Sequence, residues 1–163
     1  MLGLGAPIAP FGDAPAESPV LNRKLSDLQR ETLAACGITE VSALSGGAAA
    51  ALPRAAEPYL VLSDDLFVSR TLLREFVAAA TAPGARGVMQ LALPECRLLK
   101  DTAPLQDLRR GEHGGKPFTG FPAFVVHPDA PATLDEGGAT PVVIDPREEL
   151  RAIENVPRVF ADE

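Results

Sequence analysis

The sequence predicts an α/β domain with a mainly parallel sheet, and three observations carry that prediction. "YLVLS" (59–63) is an unbroken apolar run, the pattern of a strand buried on both faces. Two stretches, 26–36 and 69–80, repeat apolar residues at helical spacing behind a capping serine. Short apolar strands alternate with these helices, the order that builds a sheet with crossover helices. The chain has 163 residues, enough for one domain with a sizeable core, expected over 1–155 with a tail at 156–163.

Each element has a local reason. Gly3-Leu4-Gly5 follows a very short apolar start, and residues 6–19, rich in Pro, Ala and Gly, read as a loop. Ser26 is placed as an N-cap, with Gln29 three residues on to close a capping box and Leu25 as the staple residue before it. Leu28, Thr32, Leu33 and Cys36 share a face, and Gly37 ends that helix. "ITEVSAL" (38–44) is expected as a strand, followed by the connection "SGGAAAALPRAAEP". The strand at 59–63 ends in Asp64-Asp65. Ser69 caps a second helix with the stripe Leu72, Leu73, Phe76, Val77 and Ala80, stopped by "APG". "RGVMQLALP" (86–94) is the next strand. Residues 95–121, with the tract "RRGEHGGKPFTGF", read as irregular and flexible, and short strands follow at 123–127 and 141–145. Asp145-Pro146-Arg147-Glu148 supplies an N-cap, a proline at N1 and a Glu at N3 for a last helix to about Glu154.

Composition narrows the function. The formal charge of −7 argues against nucleic acid, which needs clustered Lys and Arg, but leaves a single nucleotide open. No apolar run approaches the roughly 20 residues of a spanning helix, so no membrane is expected. No basic segment precedes an apolar one at the N-terminus, and a cytoplasmic location is expected. Cys36 and Cys96 lack CxxC spacing and read as two free thiols rather than a zinc or redox pair.

Two motifs then occur in order. "GLGAPIAPFGD" followed by "SPVLNRKLSDLQRETLAACGI", and later "YLVLSDDLFVSRTLL", resemble the opening and the metal-binding strand of the sugar-nucleotide pyrophosphorylases, the nucleoside-diphosphate-sugar nucleotidyltransferases. The resemblance covers about residues 1–80 and implies a Rossmann-like three-layer, nucleotidyltransferase-like domain. It implies that Gly3 and Gly5 shape a phosphate loop, that Gly47, within "SGGAAAAL", lies near the nucleotide, and that Asp65 binds Mg²⁺. Asp145 is the counterpart of the family's second metal aspartate, or simply the cap of the helix at Pro146. The spacing between the two motifs is shorter than in the family.

The implied reaction is attack of a sugar-1-phosphate on the α-phosphate of a nucleoside triphosphate, which needs cations on the phosphates as well as the metal. Pro7 stands where the family has its loop Arg, and Ala16 or Glu17 where it has its Lys. Each lost charge-assisted contact is worth roughly 1.5–3 kcal/mol of binding. A lost transition-state cation costs on the order of 10³-fold in rate. The chain is therefore expected to be a catalytically impaired module with a scaffolding, regulatory or nucleotide-sugar-binding role. Its expected partners are a nucleotide or nucleotide-sugar and, for scaffolding, a second copy or another protein. The alternative is an active enzyme with relocated cations at Arg23, Lys24, Lys100 or Lys116; a third is an unrelated α/β binding module. His113 in its Gly-rich tract, His127 at a strand end and the pair Arg109-Arg110 read first as ordinary solvated or structural groups.

Overall fold

A computed structural model describes residues 14, 17–20, 22–44, 49–95 and 109–145. Gly3, Gly5, Gly47, Cys96, Lys100, the 6–13 part of the proline-rich loop and the helix expected after Asp145 lie outside the described residues.

The chain opens on a two-stranded hairpin, β1 (Pro19–Val20) and β2 (Arg23–Lys24), which feeds directly into α1 (Leu25–Ala35). The helix begins two residues earlier than the capping box predicts. Lys24 is its N-cap and makes no side-chain cap bond, while the Leu25 N–H donates to Ser18 O at 3.0 Å. The hairpin thus satisfies the first amide of the helix, and Gln29, with no capping box to close, is released for another use. The C-terminus follows the sequence. Gly37 takes φ +81°, its N–H reaches Ala34 O at 3.0 Å, and Ile38 N–H reaches Leu33 O at 2.9 Å. This is the paired closure that needs a left-handed residue after the cap.

Residues 38–43 form no strand, contrary to expectation. Ile38, Val41 and Leu44 recur every third residue, which cannot place them on one face of a period-two element. The next elements are β3 (Tyr59–Leu62), α2 (Arg70–Ala80) and β4 (Val88–Pro94). Ser69 caps α2 as predicted, accepting from Leu72 N–H at 3.3 Å. The stretch read as flexible instead contains β5 (Arg109–His113) and the start of β6 (Lys116–Val126), and β7 (Thr140–Val143) closes the described chain.

The sheet overturns the expected mainly parallel, Rossmann-like three-layer fold. Its five strands run β7-β4-β6-β3, with β5 also paired to β6, and only β4 with β7 is parallel. The cause is β6. Gly114 and Gly115, at φ +58° and +77°, make a two-residue turn that folds β5 back onto β6. β6 then inserts antiparallel between β3 and β4, splitting the β3–α2–β4 crossover that was expected to pair its strands directly.

Among the described residues, both helices pack on one sheet face. Leu33 of α1 and Leu73, Phe76 and Ala80 of α2 meet Leu62, Leu91 and Leu93, together with Phe121, Ala123 and Val125, in the main core. The other face is covered by loops: Val61, Val88 and Val126 pack with Leu134, Leu44 and Leu52. No described helix is long and apolar enough to cross a membrane.

Candidate functional site

β3, β4 and β7 point the same way, so their carboxyl ends share one end of the sheet. At that end β6 carries an irregularity. Gln90 pairs with Phe124, but Ala92, two residues on, pairs with Gly120, four residues back along β6. The surplus backbone bulges out of register with β4, and Gln90 Nε2 donates into it, to Phe121 O at 3.1 Å. Bulges of this kind re-aim chains beside functional sites. Ser63 N–H donates to Pro122 O at 3.0 Å, so β3 ends its pairing on this bulge.

Ser63-Asp64-Asp65-Leu66 then forms a turn, closed by Leu66 N–H to Ser63 O at 3.3 Å. The two aspartates hold the central positions and are half-buried. The Ser63 hydroxyl, itself buried, donates to Asp65 Oδ1 in a short hydrogen bond. α1 reaches this turn through Gln29, the buried polar residue midway along the stripe Leu25–Gln29–Leu33. Gln29 Nε2 donates to both flanking carbonyls, Ser63 O at 3.0 Å and Leu66 O at 2.7 Å. The residue is 2% exposed, and its Oε1 has no hydrogen-bond partner. Flipping the amide would set an oxygen against two carbonyl oxygens, so the network fixes the assignment. The sequence signal for Gln29 was present: a polar residue in the centre of an apolar helical stripe.

A cleft of about 780 Å³ lies between the end of α1, the 38–42 segment and β3. Its walls mix apolar side chains, among them Leu33, Ile38, Leu60, Leu62 and Tyr59, with the polar Thr39, Glu40 and Ser42. The Tyr59 hydroxyl donates to Pro53 O at 2.7 Å, and burial raises its pKa. Leu62, on the cleft wall, immediately precedes the acid turn in the chain. The volume falls in the range of small-molecule sites.

The strands that lead to Asp65 and Asp145 are not adjacent in the sheet. Asp145 follows β7, three strand spacings or about 14 Å across the sheet from β3, at the same end. Among the described residues, no three His, Cys, Asp or Glu side chains gather as a metal cage. Mg²⁺ is often held by one or two carboxylates with substrate phosphate and water.

The nearby cations are engaged elsewhere. Arg23 donates to both Glu31 oxygens, at 2.8 and 2.6 Å, and Lys24 pairs with Glu17. Hydrogen bonding to these partners, reinforced by their charge, raises the pKa of both cations. The Arg23 hydrogen bonds hold the Glu31 carboxyl below its ordinary value. A group with a depressed folded pKa stabilises above its unfolded pKa and loses that contribution as pH falls through the folded one. A carboxyl NMR titration is expected to show Glu31 titrating below the ordinary glutamate range, and Arg23→Gln is expected to return it there.

Arg110 Nε lies 3.5 Å from Glu95, and His113 and Lys116 are exposed at the β5–β6 turn. His127 is buried with Nε2 2.8 Å from Ala80 O, a structural tie to the end of α2. Cys36 is a half-buried free thiol. No protein-family model matches the chain, and no curated protein sequence matches it.

Proposed function

We propose that the chain is a nucleotide- or nucleotide-sugar-binding module of the nucleotidyltransferase-like kind, catalytically impaired, with a scaffolding or regulatory role in the cytoplasm. One observation supports this: Gln29 ties down the acid turn at the carboxyl end of β3, a strand whose Leu60 and Leu62 also line a cleft of small-molecule size. Arg23 and Lys24, two of the cations suspected as replacements, are paired with Glu31 and Glu17 on the surface, which supports an impaired rather than an active enzyme.

Mg²⁺ is the group the resemblance implies, and the half-buried Asp65 carboxylate at the end of β3 offers the kind of oxygen ligand the ion takes. When bound, the ion would draw phosphate to the turn. Asp65 would bind it, Ser63 would orient Asp65, and the cleft walls would shelter the base or sugar.

Thermal denaturation with nucleoside triphosphates plus Mg²⁺, and with nucleotide-sugars, tests the pocket. Ligand at a hundredfold its Kd adds about 2.7 kcal/mol. For a domain of this size that is a rise in Tm of about 5–10 °C. Pyrophosphate release across a panel of sugar-1-phosphates is expected to stay at the buffer rate. Turnover that Asp65→Asn abolishes would reinstate the enzyme, and a melt that no nucleotide or nucleotide-sugar moves would remove the binding role. In the latter case a second copy or a protein partner, read by mass measurement, is the function left.

A further inference from the structure

We propose that the outer edge of β3 accepts an extended, basic-ended segment of a partner protein as an added strand. β3 pairs with β6 on one side, and among the described residues no strand of the sheet pairs with its other side. Leu62 stands opposite Ala123, and Ser63 N–H donates to Pro122 O. Backbone groups in an antiparallel pair turn alternately toward the partner and away from it. Tyr59, Val61 and Ser63 therefore face β6, while Leu60 and Leu62 turn their N–H and C=O outward. Leu60 and Leu62 also line the cleft, together with residues 38–42, which have no regular structure. Leu44, beyond them, makes only a single bridge.

This edge lacks the usual protection. The other outer strands carry what discourages pairing, Arg110 and Glu112 in β5 and Pro141 in β7, whereas Tyr59–Leu62 has neither charge nor proline. Outward groups two residues apart recur about every 7 Å, a repeat that an extended backbone matches and a base or sugar does not. The apolar walls, Leu33 and Ile38 among them, take alternate side chains of the added strand. Charge gives the rest of its chemistry. Residues 38–65 hold Glu40, Glu57, Asp64 and Asp65 against Arg54 alone, and Glu40 lines the cleft. Basic ends on the incoming segment complement these acids.

Amide hydrogen exchange followed by NMR on the whole chain reads the edge directly. The probe is a short synthetic peptide that alternates valine with threonine between lysine ends. In the free chain the Leu60 and Leu62 amides are expected to exchange far faster than that of Val61, and the peptide is expected to slow both at least about tenfold. Glutamate ends in place of lysine weaken binding, and Glu40→Lys weakens that of the lysine-ended peptide by about threefold. Leu60→Pro removes an outward N–H while sparing the bonds to β6, and is expected to abolish the protection at Leu62. Where that variant fails to fold, the same peptide with its backbone amides N-methylated gives the same loss on the wild-type chain.

Slow exchange at Leu60 and Leu62 in the free chain would reveal an edge already covered and overturn the inference. A fast-exchanging edge that the lysine-ended peptide leaves unprotected overturns it as well. Protection that rises with chain concentration alone assigns the edge to a second copy instead. Equal protection by the glutamate-ended peptide removes the basic partner, and equal protection by the N-methylated peptide removes strand addition. None of these outcomes alters the thermal shift with nucleotides, so the nucleotide-binding role stands or falls separately.

Discussion

Replacing Phe76 by alanine is expected to lower stability by about 3–5 kcal/mol, the usual cost of emptying a large aromatic site in a core. Phe76 has no exposed surface and lies on the inner stripe of α2, between Leu73 and Ala80, against the central strands β4 and β6. Native domains are stable by about 5–15 kcal/mol, so this one change removes a large share of the margin. Urea denaturation read by far-UV circular dichroism measures it, with the midpoint falling and the slope unchanged. Phe67 is the internal control. It is 46% exposed, between buried Leu66 and Val68, and Phe67→Ala should stay within about 0.5 kcal/mol of wild type. A larger loss at Phe67 than at Phe76 would mean that α2 does not present this face to the sheet.

The difference between the two phenylalanines also marks what the sequence makes legible. Phe76 sits in a helical repeat behind a capping serine, and both signals are local, so α2 was found with its stripe and its cap. The end of α1 was found for the same reason, through Gly37. Pairing between strands is not local. β3 and β4 each look like members of a parallel sheet, and no residue in either announces that β6 separates them. The clue lay in "EHGGK", where two glycines between extended residues are the mark of a tight hairpin. Charged Arg110 and Glu112, with polar His113, disguised β5 as loop, as edge strands that resist aggregation do.

The site was legible in part. Asp64-Asp65 was placed at the end of its strand because an apolar run that stops at two acids needs no tertiary knowledge. Gln29 was assigned to a capping box, a purely local partner, whereas its amide spans 34 and 37 residues to Ser63 and Leu66. The cleft was invisible because its walls come from three separated stretches, and the extended 39–42 segment facing β3 was itself taken for a strand.

Gln90→Ala is expected to cost about 2–4 kcal/mol, combining a lost bond to a buried carbonyl with the space left behind. Gln90 does in the bulge what a ladder partner does in a regular strand. It is buried, and its amide donates to Phe121 O where the pairing of β4 with β6 skips. The tip also rests on Gly120: a Cβ there would meet Gln90 Nε2 at 3.1 Å and Cδ at 3.2 Å. Gly120→Ala therefore crowds a filled space, at a cost of about 1–3 kcal/mol. In the Gln90→Ala background the same methyl enters space just vacated, so the double variant should be more stable than the sum of the single losses, by about 1 kcal/mol or more. Strict additivity in a chemical-denaturation cycle would show that the glutamine does not fill the bulge. The consequence reaches the acid turn, because the bulge presents Pro122 O to Ser63 N–H and so fixes where β3 stops. Loosening it should raise amide exchange at Ser63 while leaving Leu73 and Phe76 in α2 protected, which places the turn in a cooperative unit with β6 rather than with the helix.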